Sequence, residues 1–149
     1  MDILRRNTDY ALRAMVNMAG HYGEDPVSTR DISQSEDISY QLACKLMQKL
    51  NNAGLVKSSM GPNGGFVLSR TPRKINLAEI IDAIQGPLSL SRCLLGENVC
   101  KKQSSCPITV KLTKLQKNIG DYLQSITLDE LLQHQGVKTS KVKNKRRIK

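Results

Sequence analysis

Apolar residues in the first third of the chain recur at helical spacing. Between residues 8 and 20 they occupy positions 11, 12, 15, 18 and 19, which is one face of an amphipathic helix closed by Gly20. Ser28, followed three residues later by Asp31, is typical of a helix start and predicts a short second helix to about Ser35.

A third helix is predicted between Ser39 and Gly54, after only a brief turn. Its inward positions are apolar: Leu42, Ala43, Leu46, Met47 and Leu50. Its outward side carries amides and a lysine. Two short helices in this arrangement predict a helix-turn-helix with a recognition helix, although a plain three-helix core with a solvated polar face is the alternative.

Two strand-like segments follow the predicted recognition helix. Residues 55–60 and 66–70 flank Gly61-Pro-Asn-Gly-Gly65, whose glycines permit positive φ at the tip of a hairpin. The sequence therefore predicts a wing, with Met60 at its base. A small tip can approach the phosphate backbone or enter a minor groove, and Lys57 and Arg70 supply positive charge nearby.

The C-terminal half predicts three further elements. Asn76 and Glu79 mark the start of a helix that ends at Gly86. After Pro107, apolar residues recur at alternating steps of four and three, which predicts a dimerisation helix, unless this helix packs only on its own winged domain. A short final helix is predicted from Thr127. The heptad seam consists of Ile108, Leu112, Leu115, Ile119, Tyr122 and Ile126.

These elements predict a mainly α fold with a small β-hairpin wing, as a winged helix-turn-helix plus a long dimerisation helix. We expect a DNA-binding domain at 1–86, a cysteine-rich loop at 87–106, the dimerisation and terminal helices at 107–135, and a disordered basic tail at 136–149. The tail contains several Lys and Arg residues and no acid. It would add sequence-independent DNA affinity or only solubility.

Charge and composition narrow the range of expected binding partners. The chain of 149 residues has 23 Lys and Arg against 13 Asp and Glu, a net charge of +10, which favours a polyanion. Double-stranded DNA is the first candidate and an anionic membrane surface the second. No apolar run suits a membrane span and no signal peptide is recognisable, so we expect a cytoplasmic protein with reduced thiols.

Three of the four cysteines, Cys93, Cys100 and Cys106, lie close together in one polar segment. Their spacing contains no Cys-x-x-Cys pair typical of structural zinc, and an odd number cannot close into disulfides. An incomplete set of soft thiolates suits an iron–sulfur cluster whose fourth position is supplied from elsewhere. The alternative is three incidental thiols in a loop.

The order of these motifs resembles the Rrf-type winged-helix transcription regulators over roughly residues 1–135. The resemblance implies a homodimeric DNA-binding regulator, expected to be a repressor, that binds a near-palindromic operator. It implies one iron–sulfur cluster per protomer, with 4Fe–4S favoured and 2Fe–2S possible, that responds to redox state or nitric oxide. The resemblance rests on Asn7-Thr-Asp-Tyr-Ala-Leu-Arg-Ala-Met15, Ile38-Ser-Tyr-Gln-Leu-Ala-Cys-Lys-Leu46, Ala53-Gly-Leu-Val56, Gly61-Pro-Asn-Gly-Gly-Phe66 and the cysteine triad.

The sequence departs from that family in the cysteine segment and in the wing. Six residues rather than five separate Cys93 from Cys100, and Thr109 stands where some members have a histidine ligand. In other members an aspartate from the partner chain is the fourth ligand, and Asp9 occupies the matching position. Met60 stands where many members have an arginine suited to a narrow minor groove.

On this reading, the recognition helix and the wing supply the contacts to DNA. Glutamine and lysine can read adenine and guanine edges, while serine and a helix N-terminus hold phosphate. The expected DNA-binding residues are Arg30, Ser39, Tyr40, Gln41, Lys45, Lys57 and Asn63.

Three other functions are compatible with parts of the sequence. One is a zinc-bound or metal-free regulator that senses thiol oxidation, and another is a basic scaffold that uses its winged domain for protein contacts. The third, an iron–sulfur electron-transfer protein, has no support beyond the cysteines. The chain has no recognisable nucleotide loop, nucleophile–base pair or paired-acid motif, so we do not expect an enzyme.

Overall fold

A computed structural model describes residues 3–135, which form six α-helices and one two-stranded antiparallel hairpin. The mainly α fold with a β-hairpin wing is therefore confirmed, whereas the predicted basic tail at 136–149 lies outside the described residues. The elements are α1 (Arg6–Gly20), α2 (Thr29–Ser35), α3 (Tyr40–Asn52), β1 (Val56–Ser59), β2 (Gly65–Leu68), α4 (Leu77–Gln85), α5 (Pro107–Ser125) and α6 (128–135).

Side-chain caps explain why three of these helices begin where the sequence predicts. The Ser28 hydroxyl accepts a hydrogen bond from the amide of Asp31 at 3.1 Å, and the Ser39 hydroxyl accepts one from the amide of Leu42 at 3.2 Å. At α4 the Asn76 side chain and the Glu79 carboxylate bond reciprocally to each other's backbone amides. Each cap satisfies amides that have no partner within the helix.

One aliphatic core joins α1, α2, α3, α4, the hairpin and α6. The predicted inward face of α3 is buried, apart from the half-buried Leu42. Leu128 of α6 is fully buried in the same core, so α6 completes the packing of the N-terminal helices. The largest fully buried side chains are Met15, Ile32, Met47, Leu50, Leu55, Ile75, Ile80 and Leu128.

The wing, residues 56–68, is fastened to the connection between α1 and α2. Its two strands pair Val56 with Leu68 through Ser59 with Gly65, and Val27 forms an additional antiparallel bridge with Phe66. A Cβ atom added to Gly65 would lie 2.4 Å from the carbonyl oxygen of Val27, so this close approach requires glycine. The two strands confirm the predicted wing, whereas the additional bridge between Val27 and Phe66 was not predicted.

Helix α5 has no fully buried residue and packs on α4 along only part of its surface. Along the predicted seam, Leu112, Ile119 and Ile126 are half-buried. The alternate seam positions, Ile108, Leu115 and Tyr122, are 64%, 48% and 68% exposed. Within residues 3–135, no helix is both long and apolar enough to cross a membrane.

Candidate DNA-binding surface and cysteine loop

The outward face of α3 presents four of the predicted DNA-binding residues. Ser39, Tyr40, Gln41 and Lys45 are all exposed at the N-terminal end of this helix. One oxygen lone pair of Ser39 is already used by the cap to Leu42, but its hydroxyl proton remains available for donation to phosphate. The helix therefore offers amide, phenol and ammonium donors on one face.

Tyr40 is held by a neighbour one turn along α3. Donation of the phenol proton toward the Cys44 sulfur is the main cause that raises the pKa of Tyr40 above its ordinary value, so the phenol stays protonated. Cys44 is half-buried and lies one turn from Tyr40 on the same side of α3.

A cleft of about 370 Å³ separates the recognition helix from the wing. Arg30 from α2 and Tyr40 from α3 line one side of it, and Met60 lines the other. Lys57 and Asn63 are exposed on the wing but do not line this cleft. The structure therefore brings Arg30 and Tyr40 together and places Lys57 and Asn63 on the hairpin beyond them.

Arg70 does not supply the free charge near the wing that the sequence suggested. Its guanidinium donates to the Glu79 carboxylate at 2.8 Å and to the carbonyl of Lys74 at 3.1 Å. Glu79 is also the acidic partner in the cap of α4. Arg70 therefore links the end of the wing to α4, and the sequence pattern could not distinguish this role from phosphate binding.

The cysteine loop, residues 87–106, carries three free thiols. Cys93 and Cys106 are half-buried and Cys100 is exposed. In the described chain no three His, Cys, Asp or Glu side chains lie close enough together to hold a metal ion. Asp9 lies exposed in the first turn of α1 and is not gathered with the cysteines.

The thiol of Cys106 lies at the N-terminus of α5. Hydrogen bonds from the backbone amide and then the hydroxyl of Thr109 lower the pKa of Cys106, with a further contribution from the amide of Ile108. Donors directed at sulfur favour the thiolate, which is the form that binds metal or attacks an electrophile. Thr109 therefore polarises the last cysteine of the loop.

Two glutamines fasten the cysteine loop, and neither was singled out from the sequence. The Gln103 side chain donates to the carbonyls of Cys93 at 2.6 Å and of Gly96 at 3.0 Å. Gln116 of α5 accepts a hydrogen bond from the amide of Leu90 at 3.0 Å. The first part of the loop is thus attached both to the last part and to α5.

The end of α4, immediately before the loop, is bonded to two other helices. Gln85 accepts hydrogen bonds from the Arg5 amide at 3.0 Å and the Thr8 hydroxyl at 2.7 Å, and its amide donates to the Ile3 carbonyl at 3.0 Å. The Lys49 ammonium of α3 donates to the Ile84 carbonyl at 3.0 Å. These contacts join residues far apart in sequence, so no local pattern reveals them.

The donor set fits an iron–sulfur cluster in chemistry but is not preassembled. Three free thiols, one of them polarised toward the thiolate, are the ligands that such clusters use. Thr109, three residues after the last cysteine, donates to the sulfur of Cys106. Among the described residues no three such side chains form a site for a metal ion, so binding of one ion by all three thiols would require the loop to change shape.

Comparison with known proteins shows which regulators this chain is similar to. The family model for Rrf2, described as an iron-dependent transcriptional regulator, matches residues 4–134. The HTH-type transcriptional regulator IscR of Xenorhabdus nematophila is 36% identical over 128 residues, which cover 86% of this chain and 77% of that protein.

Two solved structures share the fold. CymR, the global cysteine regulator of B. subtilis, has a TM-score of 0.73 and 29% identity, and the match covers 90% of this chain and 98% of that one. T. potens IscR has a TM-score of 0.69 and 32% identity, with 88% and 86% covered. This chain is a DNA-binding transcription regulator rather than an enzyme, and it belongs to the Rrf2 family.

Proposed function

We propose that this protein is an iron–sulfur-dependent transcriptional repressor whose affinity for its operator changes with the state of the cluster. Residues 1–86 bind DNA, the cysteine loop holds the cluster, residues 107–135 comprise the dimerisation helix α5 and the short terminal helix α6, and the protein acts in the cytoplasm. The observation that carries the proposal is the presence of three free thiols on one loop that is hydrogen-bonded to α5.

Cys93, Cys100 and Cys106 would hold the cluster, with Asp9 of a partner protomer as the fourth ligand. A bound cluster supplies a centre that redox change, nitric oxide or iron supply can alter or remove. The favoured form is 4Fe–4S, because three thiolates and one carboxylate resemble the ligand set of similar proteins, and 2Fe–2S is the other possibility.

The contacts around the end of α4 provide a route from the loop to the DNA-binding surface. A change in the shape of the loop acts directly on the last turn of α4, because the loop begins at residue 87. Lys49 connects that turn to α3, and Gln85 connects it to α1. The loop is also bonded to α5 through Gln116. Movement of the loop therefore alters both helix positions and dimer geometry.

A homodimer formed through α5 explains the exposed alternate positions of its seam. Ile108, Leu115 and Tyr122 leave a large apolar surface on one side of this helix. Burial of these side chains against a second copy would place two recognition helices on successive half-sites about one DNA turn apart. A symmetric dimer reads a near-palindromic operator, so small changes of dimer geometry alter affinity strongly.

Metal analysis of anaerobically purified protein tests the proposal. We expect about four iron and four acid-labile sulfide per protomer for a 4Fe–4S centre, or about two of each for 2Fe–2S. Cys93→Ser and Cys106→Ser should lose the cluster, while Cys44→Ser, the matched control on α3, should keep it. The cluster-bound and cluster-free forms should then bind a selected operator with different affinities. Equal affinities of the two forms would refute the proposed switch. Finding zinc, or no metal, in the purified protein would refute the proposed cluster.

A metal-free thiol sensor is the second candidate, and the polarised Cys106 favours it. A thiol whose pKa is lowered reacts more readily with oxidants, without any metal. The structural neighbours include both IscR and the global cysteine regulator CymR, so fold similarity does not choose between the two mechanisms. Under this alternative, Cys106→Ser abolishes the response of DNA binding to peroxide in protein that contains no iron.

A further inference from the structure

Met60 is an apolar side chain held almost entirely in solvent at the tip of the wing. It is 96% exposed. Ser59 and Gly65 are the last residues paired between the two strands, so Met60 lies beyond the ladder and not at the base of the wing as the sequence suggested. An apolar side chain in this position contributes favourable free energy of burial only when a partner covers it.

The residues around Met60 make it the dominant feature of a narrow, uncharged tip. A turn closed by a hydrogen bond from the Gly64 amide to the Gly61 carbonyl, at 2.9 Å, completes the hairpin. Every other side chain from 59 to 65 is shorter, and residues 58–69 include no charged side chain. The tip therefore carries no charge that would attract it to a minor groove. Met60 is the side chain of the tip that can be inserted into the groove.

The position of Met60 relative to α3 favours DNA over a protein as the partner. Met60 lines the same cleft as Tyr40, the first residue of the recognition helix, and Arg30 of α2. When α3 occupies a major groove, the wing on the other side of this cleft meets the neighbouring backbone and minor groove. Lys57 at the start of the wing adds positive charge on the same hairpin.

We propose that Met60 is a specificity-determining residue that enters the DNA minor groove as an apolar wedge and partly unstacks one base step. The inference rests on the DNA-binding surface proposed above. Methionine and other apolar side chains unstack base steps in this way and bend the duplex. Pyrimidine–purine steps deform most easily, so the operator should contain one where the wing lands on each half-site.

Selection of binding sites from a random DNA library tests this role, with the full-length protein and three variants. Met60→Ala should bind the site selected by the wild type about 5- to 30-fold more weakly and should bend it less in a circular-permutation assay. It should also lose the preference for a pyrimidine–purine step. Met60→Arg should favour A·T-rich narrow grooves instead, and its affinity should fall more steeply with salt by about one unit of slope.

Tyr22→Ala is the matched control, because Tyr22 is another exposed apolar side chain that does not line the cleft. It should select the same sites as the wild type with the same affinity. The proposal is overturned if Met60→Ala selects the same sequence, binds it within about twofold of the wild type and bends it equally, since the methionine then contacts no DNA.

The underlying DNA surface has its own test. Gln41→Ala and Lys45→Ala should weaken binding whatever Met60 does, so unchanged binding in these two variants would reject the surface itself. Thermal unfolding should be the same for the Met60, Gln41 and Lys45 variants, because each of these side chains is exposed.

Discussion

Replacement of Gln85 by leucine should destabilise the protein more than is usual for a single substitution of a half-buried residue. Gln85 makes three hydrogen bonds to the segment around the start of α1, and the hydroxyl of Thr8, which is 0% exposed, depends on it. Helix α1 has no side-chain cap of its own, so Gln85 supplies that function from α4.

The expected loss is about 2–3 kcal/mol. A buried hydroxyl left without a partner costs about 1–3 kcal/mol, and a typical intramolecular hydrogen bond contributes about 1 kcal/mol net. The bonds to the Arg5 amide and the Ile3 carbonyl are exposed, so water replaces them and they add little. The estimate is therefore dominated by the orphaned Thr8 hydroxyl.

Urea denaturation at one fixed protein concentration measures the effect, because the proposed dimerisation would make stability depend on concentration. Thr8→Val should cost about 1 kcal/mol, and the double variant Thr8→Val/Gln85→Leu should be more stable than the sum of the single losses, because no orphaned hydroxyl remains. Gln34→Leu, at an exposed position of α2, is the control, with an expected change in the free energy of unfolding within about 0.5 kcal/mol. Additive single losses, or no loss in Gln85→Leu, would refute the assigned role.

Three other substitutions test separate contacts. Gly65→Ala should lower the melting temperature and weaken DNA binding, because its Cβ would lie 2.4 Å from the Val27 carbonyl oxygen; unchanged unfolding would contradict this contact. Thr109→Val removes a donor that lowers the pKa of Cys106, so the midpoint of alkylation rate against pH should move to higher pH while the backbone donor remains; an unmoved midpoint would show that the hydroxyl has no effect. If α5 forms the proposed dimer, Leu115→Asp should convert it to a monomer in sedimentation velocity, since it charges the exposed seam of α5, whereas Lys114→Asp on the same helix should not.

The local signals in the sequence predicted most of the fold. Ser28, Ser39 and Asn76 each cap a helix where expected, because capping needs only a side chain and an amide three residues later. The wing was equally predictable from its strand-like segments and glycine-rich turn. Short-range chemistry determined these elements, so a short stretch of sequence was enough.

The contacts that connect the elements could not be predicted. Gln85 and Lys49 resemble solvated residues on amphipathic helices, yet each bonds to an element distant in sequence. Arg70 resembles a phosphate ligand, yet Glu79 neutralises it. The sequence also brought three cysteines into one loop, but whether their sulfur atoms converge depends on loop conformation, which spacing does not determine.

The burial of Leu128 in the core of α1, α3 and α4 has a consequence for synthesis. Its amide also donates to the carbonyl of Ile75 at 3.0 Å, and Asn76 pairs with Thr127. The winged part therefore remains one helix short of its complete core until nearly the whole described chain has been translated. We expect nascent chains that end before α6 to bind chaperones and to be degraded, so stable folding, and with it DNA binding, should begin only after α6 has been synthesised.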